Sequence, residues 1–337
     1  MQRMKPRFLA PSILALVVLL SAAPAHAAKS WKLRFQPKQG SVLYFAVSTK
    51  LAMSANLGLL GNQSGHMNLR IEVRQRVAER RRRGPTTLEL TYDRIQLDLE
   101  FGQRARSYDS AEPQPGDDEL ARDYLGRLVG QVVTLVLSRQ GEIIEAHGLE
   151  GLWDDTDRSA GTGSEEQGAL FETLTQGLGM EMLKALYQQA SPIFPEGRVR
   201  SGDTWTAELT IPDPAFGAMR IDSDYELLGA GKMGRHSYVK TGVRNRIELE
   251  GRGSLLDQIG ALAGTEGEVR VTTERAEGSG TIWTERKTGV TLGLLAEQRM
   301  TLQLSVPLKV LGFTKRVKVP VTLEQQIAFE RMVTERE

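Results

Sequence analysis

Outside the N-terminal leader the chain holds three histidines, His66, His147 and His236. Imidazole works as a base or ligand only with a partner at fixed reach, and none of the three stands in a metal-binding or catalytic spacing. Each sits among polar residues or at a strand end and reads as a surface histidine. The sequence has no Gly-x-Ser-x-Gly elbow, no Walker loop and no His-Glu-x-x-His pair. Gly161-Thr162-Gly163-Ser164 and Gly278-Ser279-Gly280 lack the lysine and the strand-to-helix setting that phosphate binding requires. Cysteine is absent, which removes thiol nucleophiles, zinc-thiolate sites and disulfides. The 42 acidic residues leave many carboxylate pairings open, yet no pair stands out. The expectation is no enzyme, no catalytic residue, no metal and no cofactor.

Two polar clusters carry a sharper signal. Asp155, Asp157, Ser159 and Glu166 offer oxygens at positions 1, 3, 5 and 12 of a calcium-type loop. Position six is Ala160 rather than glycine, and Arg158 adds a positive charge, so the stretch reads as a solvated acidic loop capping the following helix. Arg80, Arg81, Arg82 and Arg83 form a basic tip before Gly84-Pro85. Such a tip suits contact with phospholipid or lipopolysaccharide headgroups, or a hairpin turn kept soluble by charge. Trp205 and Trp283 read as core, and Gly202-Asp203-Thr204 as a turn before a strand.

The elements that would position any site are strands. From Val290 to Val306 the even positions are apolar except Gln298, and the odd ones are polar or small except Leu295. Period two marks a strand buried on one face. It is several times the usual length of about 5–6 residues, so it must bend, with Gly293 and Gln298 as the bending points. Met67, Leu69, Ile71, Val73 and Val77 repeat the pattern, and Arg80 to Pro85 is a hairpin tip. The next strand changes parity near Asp93-Arg94, as a β-bulge would. Further strands are expected over 42–53, 132–137, 142–146, 204–211, 219–227, 238–249, 269–275, 280–286 and 317–329. Gly58 to Gly65 reads as a turn-rich link. A short helix follows Asp117-Asp118, and Leu255 to Leu262 is a short apolar insertion. The one long helix runs from about Glu166 to Ala190 on Leu170, Leu174, Leu178, Met182, Leu186 and their neighbours.

The first 27 residues read as a secretory signal, with Arg3, Lys5 and Arg7 before an apolar Ile13 to Leu20 and an Ala25-His26-Ala27 cleavage site. No lipoprotein cysteine follows, so a soluble periplasmic or secreted product, not a lipoprotein, is expected. No later segment spans a bilayer. The leader takes three of the 43 basic residues and leaves the rest near neutral, against 42 acids, which argues against nucleic acid as a partner.

The hairpin Thr134 to Gly141 and the tip Thr281 to Gly289 share a pattern of alternating strand, hydroxyl residue, arginine, spacer and glycine. Duplication of two halves, about 40–150 and 200–333 joined by 153–200, and convergence on a common turn chemistry both fit. Otherwise 28–337 is a single domain.

Five short motifs, Tyr92-Asp93-Arg94, Tyr108-Asp109-Ser110, Leu135 to Gly141, Val199 to Trp205 and Gly280 to Trp283, resemble a family of uncharacterised exported bacterial proteins known as a domain of unknown function. That resemblance implies no activity. More loosely, a long curved sheet with one apolar helix is similar to the periplasmic lipoprotein-carrier fold of LolA and LolB, which implies hydrophobic-ligand binding by fold analogy.

The expected architecture is mainly β: one large curved antiparallel sheet or unclosed barrel, with the long helix on its concave face. Two functions fit it. One is binding or transfer of a lipid or other hydrophobic ligand lined by Leu292, Leu294, Met300, Leu302, Met180 and Met182. The other is an envelope interaction module with a closed core and a protein partner. Gln298 discriminates between them: buried and paired it marks a core, facing empty space it marks a pocket.

Overall fold

The computed structural model describes residues 29–56, 62–101, 104–114, 119–150, 152, 180–213, 217–250, 270–310 and 313–332. The leader, the 155–166 loop, the first part of the long helix and the Leu255 to Leu262 insertion fall outside these residues.

The described residues begin with β1 (Ser30–Trp31), then β2 (Val42–Asn56), β3 (Asn62–Arg80), β4 (Thr86–Phe101) and β5 (Arg104–Asp109). Helix α1 (Glu119–Leu128) precedes β6 (Val132–Leu137) and β7 (Ile143–His147), and α2 (Met180–Ala190) precedes β8 (Val199–Arg200). The second half is β9 (Thr204–Asp213), β10 (Gly217–Met233), β11 (His236–Glu250), β12 (Arg270–Glu285), β13 (Thr291–Val310) and β14 (Phe313–Met332).

All the long strands join one antiparallel sheet of 12 strands, in the order β7-β6-β4-β3-β2-β14-β13-β12-β11-β10-β9, with β5 also on β4. Two meanders therefore meet in the middle, where the first long strand, β2, pairs with the last, β14. The ends do not pair with one another, so the sheet is not closed. β1 and β8 form a separate pair.

Side chains alternate across the sheet as the period-two patterns require. Leu294, Leu302 and Leu304 of β13 are buried, while Leu295 between them is 57% exposed. In register with them, Phe329 and Ile327 of β14, Val47 and Thr49 of β2, and Ile71 and Leu69 of β3 share one inner face. The parity change in β4 is real: Glu72 pairs with Arg94 and Val73 with Tyr92, leaving Asp93 as the extra residue. On β13 the ladder to β12 is irregular beside Gly293, where Leu292 is the extra residue, but it runs unbroken through Gln298.

Three expectations shift in extent. The strands foreseen at 269–275 and 280–286 are one strand, β12, held on both sides by β11 and β13. β3 begins at Asn62, so Gly65 of the supposed link pairs with Met53. Of the helix expected from about Glu166, the structure describes Met180–Ala190, and the rest lies outside the described residues.

The two described helices each pack through one stripe. Ala121, Leu125 and Leu128 of α1, at i, i+4 and i+7, are buried with the fully enclosed Leu88, Leu135 and Leu137. Each such leucine stabilises the fold by about 1.5–3 kcal/mol. α2 packs Leu183 and Tyr187, both partly buried, against the main core, and Ala185 clusters with Ile221 and Ile247.

A short N-terminal segment ties two distant hairpins together. Phe35 N–H donates to Arg139 O at 2.8 Å and Gln36 N–H to Thr288 O at 2.6 Å. Gly141 and Gly289, both at positive φ, sit at these tips.

Candidate hydrophobic site

A polar rank divides the inner face. Ser223 of β10, Asn245 of β11, Gly278 of β12, Gln298 of β13 and Gln325 of β14 are successive cross-strand partners. Ser223 donates to Asn245 at 2.9 Å, and Gln298 reaches Gln189 of α2 at 3.3 Å. On one side of the rank lies the main core with α2. On the other, Leu302, Leu304, Val319, Val321 and Leu323 form a second apolar cluster with Met53 and Leu249 around it.

The six residues expected to line a pocket are therefore not brought together. Leu294 belongs to the main core and Leu302 to the second cluster, while Met300 touches the second cluster and the Ile221 cluster. Leu292 is buried beside the Gly293 irregularity. Met180 packs on the main core, and Met182 lies in the first turn of α2.

Two small cavities remain between α2 and the sheet. One, about 20 Å³, is bordered by Gln188, Ile193, Tyr225 and Leu294. The other, about 40 Å³, is walled by Phe45, Val73, Leu90 and Phe329 of the sheet and roofed by Leu183 and Leu186. Gln75 is the polar residue of its wall, together with the phenols of Tyr92 and Tyr187. Burial pushes both phenols well up, so they stay neutral hydrogen-bond donors. Tyr187 Oη donates to Gln75 Oε1 at 3.4 Å, while Gln75 Nε2 is buried without a partner. Sequence reasoning passed over Gln75. Its signal was the single gap in the stripe Met67, Leu69, Ile71, Val73, Val77.

A wider cavity, about 1090 Å³, lies open on the opposite, charged face. Its floor carries the cross-strand series Arg246, Glu277, Arg299, Glu324. Opposite charges alternate there from strand to strand, and with Lys50, Arg244, Asp224 and Glu297 the lysine and arginines match the acids, so the groove has no net sign with which to attract an ion.

The other sequence candidates are spread out. Arg81 to Arg83 are exposed at the β3–β4 tip, and Arg81 pairs with Glu79 at 2.9 Å. His66 borders the charged groove, His147 sits 3.6 Å from both Glu145 and Glu150, and His236 meets Glu285 at 2.8 Å. Among the described residues, no group of three His, Cys, Asp or Glu is placed to hold a metal ion. No described helix is long and apolar enough to cross a membrane.

The short motifs turn out to build the fold. Arg94 grips Asp109 through Nε and Nη2, Ile95 and Ser110 exchange hydrogen bonds of 2.9 and 3.0 Å, and Tyr92 and Tyr108 are buried. Trp205 donates to Ile193 O at 2.7 Å and stacks on Tyr225 at 5.4 Å.

Residues 83–233 match a family of unknown function, DUF6263. The matched stretch runs from the basic tip to the end of β10 and contains four of the five motifs, all but Gly280 to Trp283. No curated protein matches the sequence. Among solved structures the chain is similar to lipovitellin, in a structure concerned with lipid–protein interactions, at 11% identity and a TM-score of 0.43. That likeness covers 88% of this chain and 25% of lipovitellin's, so the chain spans about a quarter of that protein. It is also similar to DynF of the dynemicin biosynthesis pathway of Micromonospora chersina, at 6% identity and a TM-score of 0.20, covering 93% and 90% of the two chains. An outer-membrane channel from Pseudomonas putida F1 follows at 8% identity and a TM-score of 0.19, covering 91% and 99%. None of these likenesses is close enough to assign a function, and the expected similarity to LolA and LolB is not shown.

Proposed function

We propose that this is a non-enzymatic protein of the bacterial envelope, exported by its leader to the periplasm, that binds or hands over a lipid or other hydrophobic molecule on the inner face of its sheet. The observation that carries this reading is the apolar cavity under α2, with a buried amide nitrogen of Gln75 left unpaired. Ligand pockets have this make-up, an apolar wall with one or two oriented polar groups. The continuation of the apolar face past the polar rank, to Leu302 and Val321, supplies further surface for a long chain. In this closed form the cavity is far below the roughly 300 Å³ of a typical ligand site, so binding requires α2 to shift.

Native protein from a periplasmic fraction, extracted with organic solvent and analysed by mass spectrometry, is expected to release lipid in near-stoichiometric amount. Repeated extraction with no lipid, and no binding of a neutral hydrophobic dye, would sink the proposal.

A second reading is favoured by Gln298, which is 6% exposed and paired with Gln189, as a residue of a closed core would be. In that reading the protein is an envelope interaction module. Cross-linking in cells would then recover a specific protein partner while the interior stays dry.

A further inference from the structure

Gln75 is 2% exposed, and the cavity before it is otherwise walled by apolar side chains and two phenols. An amide donor left unpaired in such surroundings costs about 1–3 kcal/mol, and native folds rarely leave one uncompensated. Its own carbonyl already accepts from Tyr187, which orients the free nitrogen. Among the described residues, no charged side chain lines the cavity. A carboxylate or phosphate head would lose its water there with no cation to replace it, a cost of several kcal/mol. A neutral carbonyl oxygen has no such cost and matches the free donor.

We propose that this cavity is the head-group end of the hydrophobic site, taking a neutral carbonyl oxygen, as in an ester or ketone, at the end of an apolar chain, with Gln75 Nε2 as donor. The proposal rests on the hydrophobic-binding reading above. The closed cavity holds about one or two water molecules, so the chain enters by displacing the roof. α2 is pinned at its C-terminal end, where Gln188 bonds to Gly141, Ile143 and Ser191, and Thr291 donates to Ala190 O at 2.8 Å. Leu183 lies more than a turn from these anchors, so α2 swings about Gln188 and lifts Leu183 and Leu186.

The test is displacement of bound N-phenyl-1-naphthylamine from the full-length protein by methyl decanoate, undecane and decanoate at about pH 8, where decanoate is ionised. Methyl decanoate is expected to act at roughly tenfold lower concentration than either competitor. Gln75→Leu is expected to bring the ester to the level of undecane measured on the same variant. Gln75→Met, closer in shape, gives the same reading if the leucine variant does not fold. Equal potency of all three probes, or an ester preference that survives both variants, overturns the role of Gln75 and leaves hydrophobic binding standing. Failure of the dye to bind, or of every probe to displace it, overturns both.

Discussion

Gln298 Nε2 of β13 donates to Gln189 Oε1 of α2 across 3.3 Å, and this pair fastens the helix to the middle of the sheet's apolar face. Gly278 on β12 makes the room. A Cβ there would stand 2.8 Å from Gln298 Cγ. Since Gln298 is buried, removing its partner leaves an amide group short of a bond. Gln298→Leu and Gln189→Leu are each expected to destabilise by about 1 kcal/mol, and the double variant by less than their sum. Urea unfolding of all four proteins measures the coupling. Strict additivity would show that the pair makes no contribution.

The Arg94–Asp109 clasp has a pH signature. The Arg94 hydrogen bonds, helped by Gln96 and the backbone of Ala111, hold the Asp109 carboxyl below the ordinary carboxylate range against a smaller opposing effect of burial. A group with a depressed folded pKa contributes stability above its unfolded value, about 4, and loses it as pH falls further. Stability should therefore decline below about pH 4, and more gently in Asp109→Asn than in the parent. Both side chains are partly solvated, at 23% and 29% exposure, so the difference shrinks in high salt. Urea midpoints taken in steps through this range, at two salt concentrations, are the check.

What the sequence made legible was local. The period of two in β13 sorted Leu294 from Leu295 correctly, and the parity change placed the Asp93 bulge, because pleat and patterning are properties of a single strand. Central pairing of β2 with β14 joins residues nearly three hundred positions apart, as in Val47 with Phe329, and no local pattern announces it. The candidate lining is divided between clusters for the same reason. Leu294 and Leu302 share a face of one strand, but the polar rank between them is assembled from five strands. Gln75 was missed because one glutamine in an apolar stripe looks like a minor exception until burial shows it has no partner.

Gly289 marks the place where the N-terminal segment is stitched on. It adopts φ 71°, and a Cβ would lie 2.1 Å from the backbone oxygen of Arg34. Gly40 has a similar φ, 76°, with nothing within 4 Å. Gly40→Ala therefore pays only for backbone strain, about 1 kcal/mol, whereas Gly289→Ala must also push Arg34 away and is expected to lose several times that. Limited proteolysis near Arg34, alongside thermal unfolding, separates the two. Equal losses would mean that the Arg34 approach is unimportant.

Two buried glutamines should respond in opposite ways to the same substitution. Gln188, 4% exposed, accepts from Ile143 N–H at 3.0 Å and donates to Gly141 O at 3.2 Å and Ser191 O at 3.0 Å. Gln188→Leu strands those three backbone groups in the core and is expected to cost about 2–4 kcal/mol. Gln75→Leu removes a donor that had no partner, gives up only the long bond from Tyr187, and should be neutral or stabilising by about 1 kcal/mol. Parallel urea titrations decide the matter. A loss at Gln75 as large as that at Gln188 would mean that the Gln75 amide is satisfied in solution, by water inside the cavity.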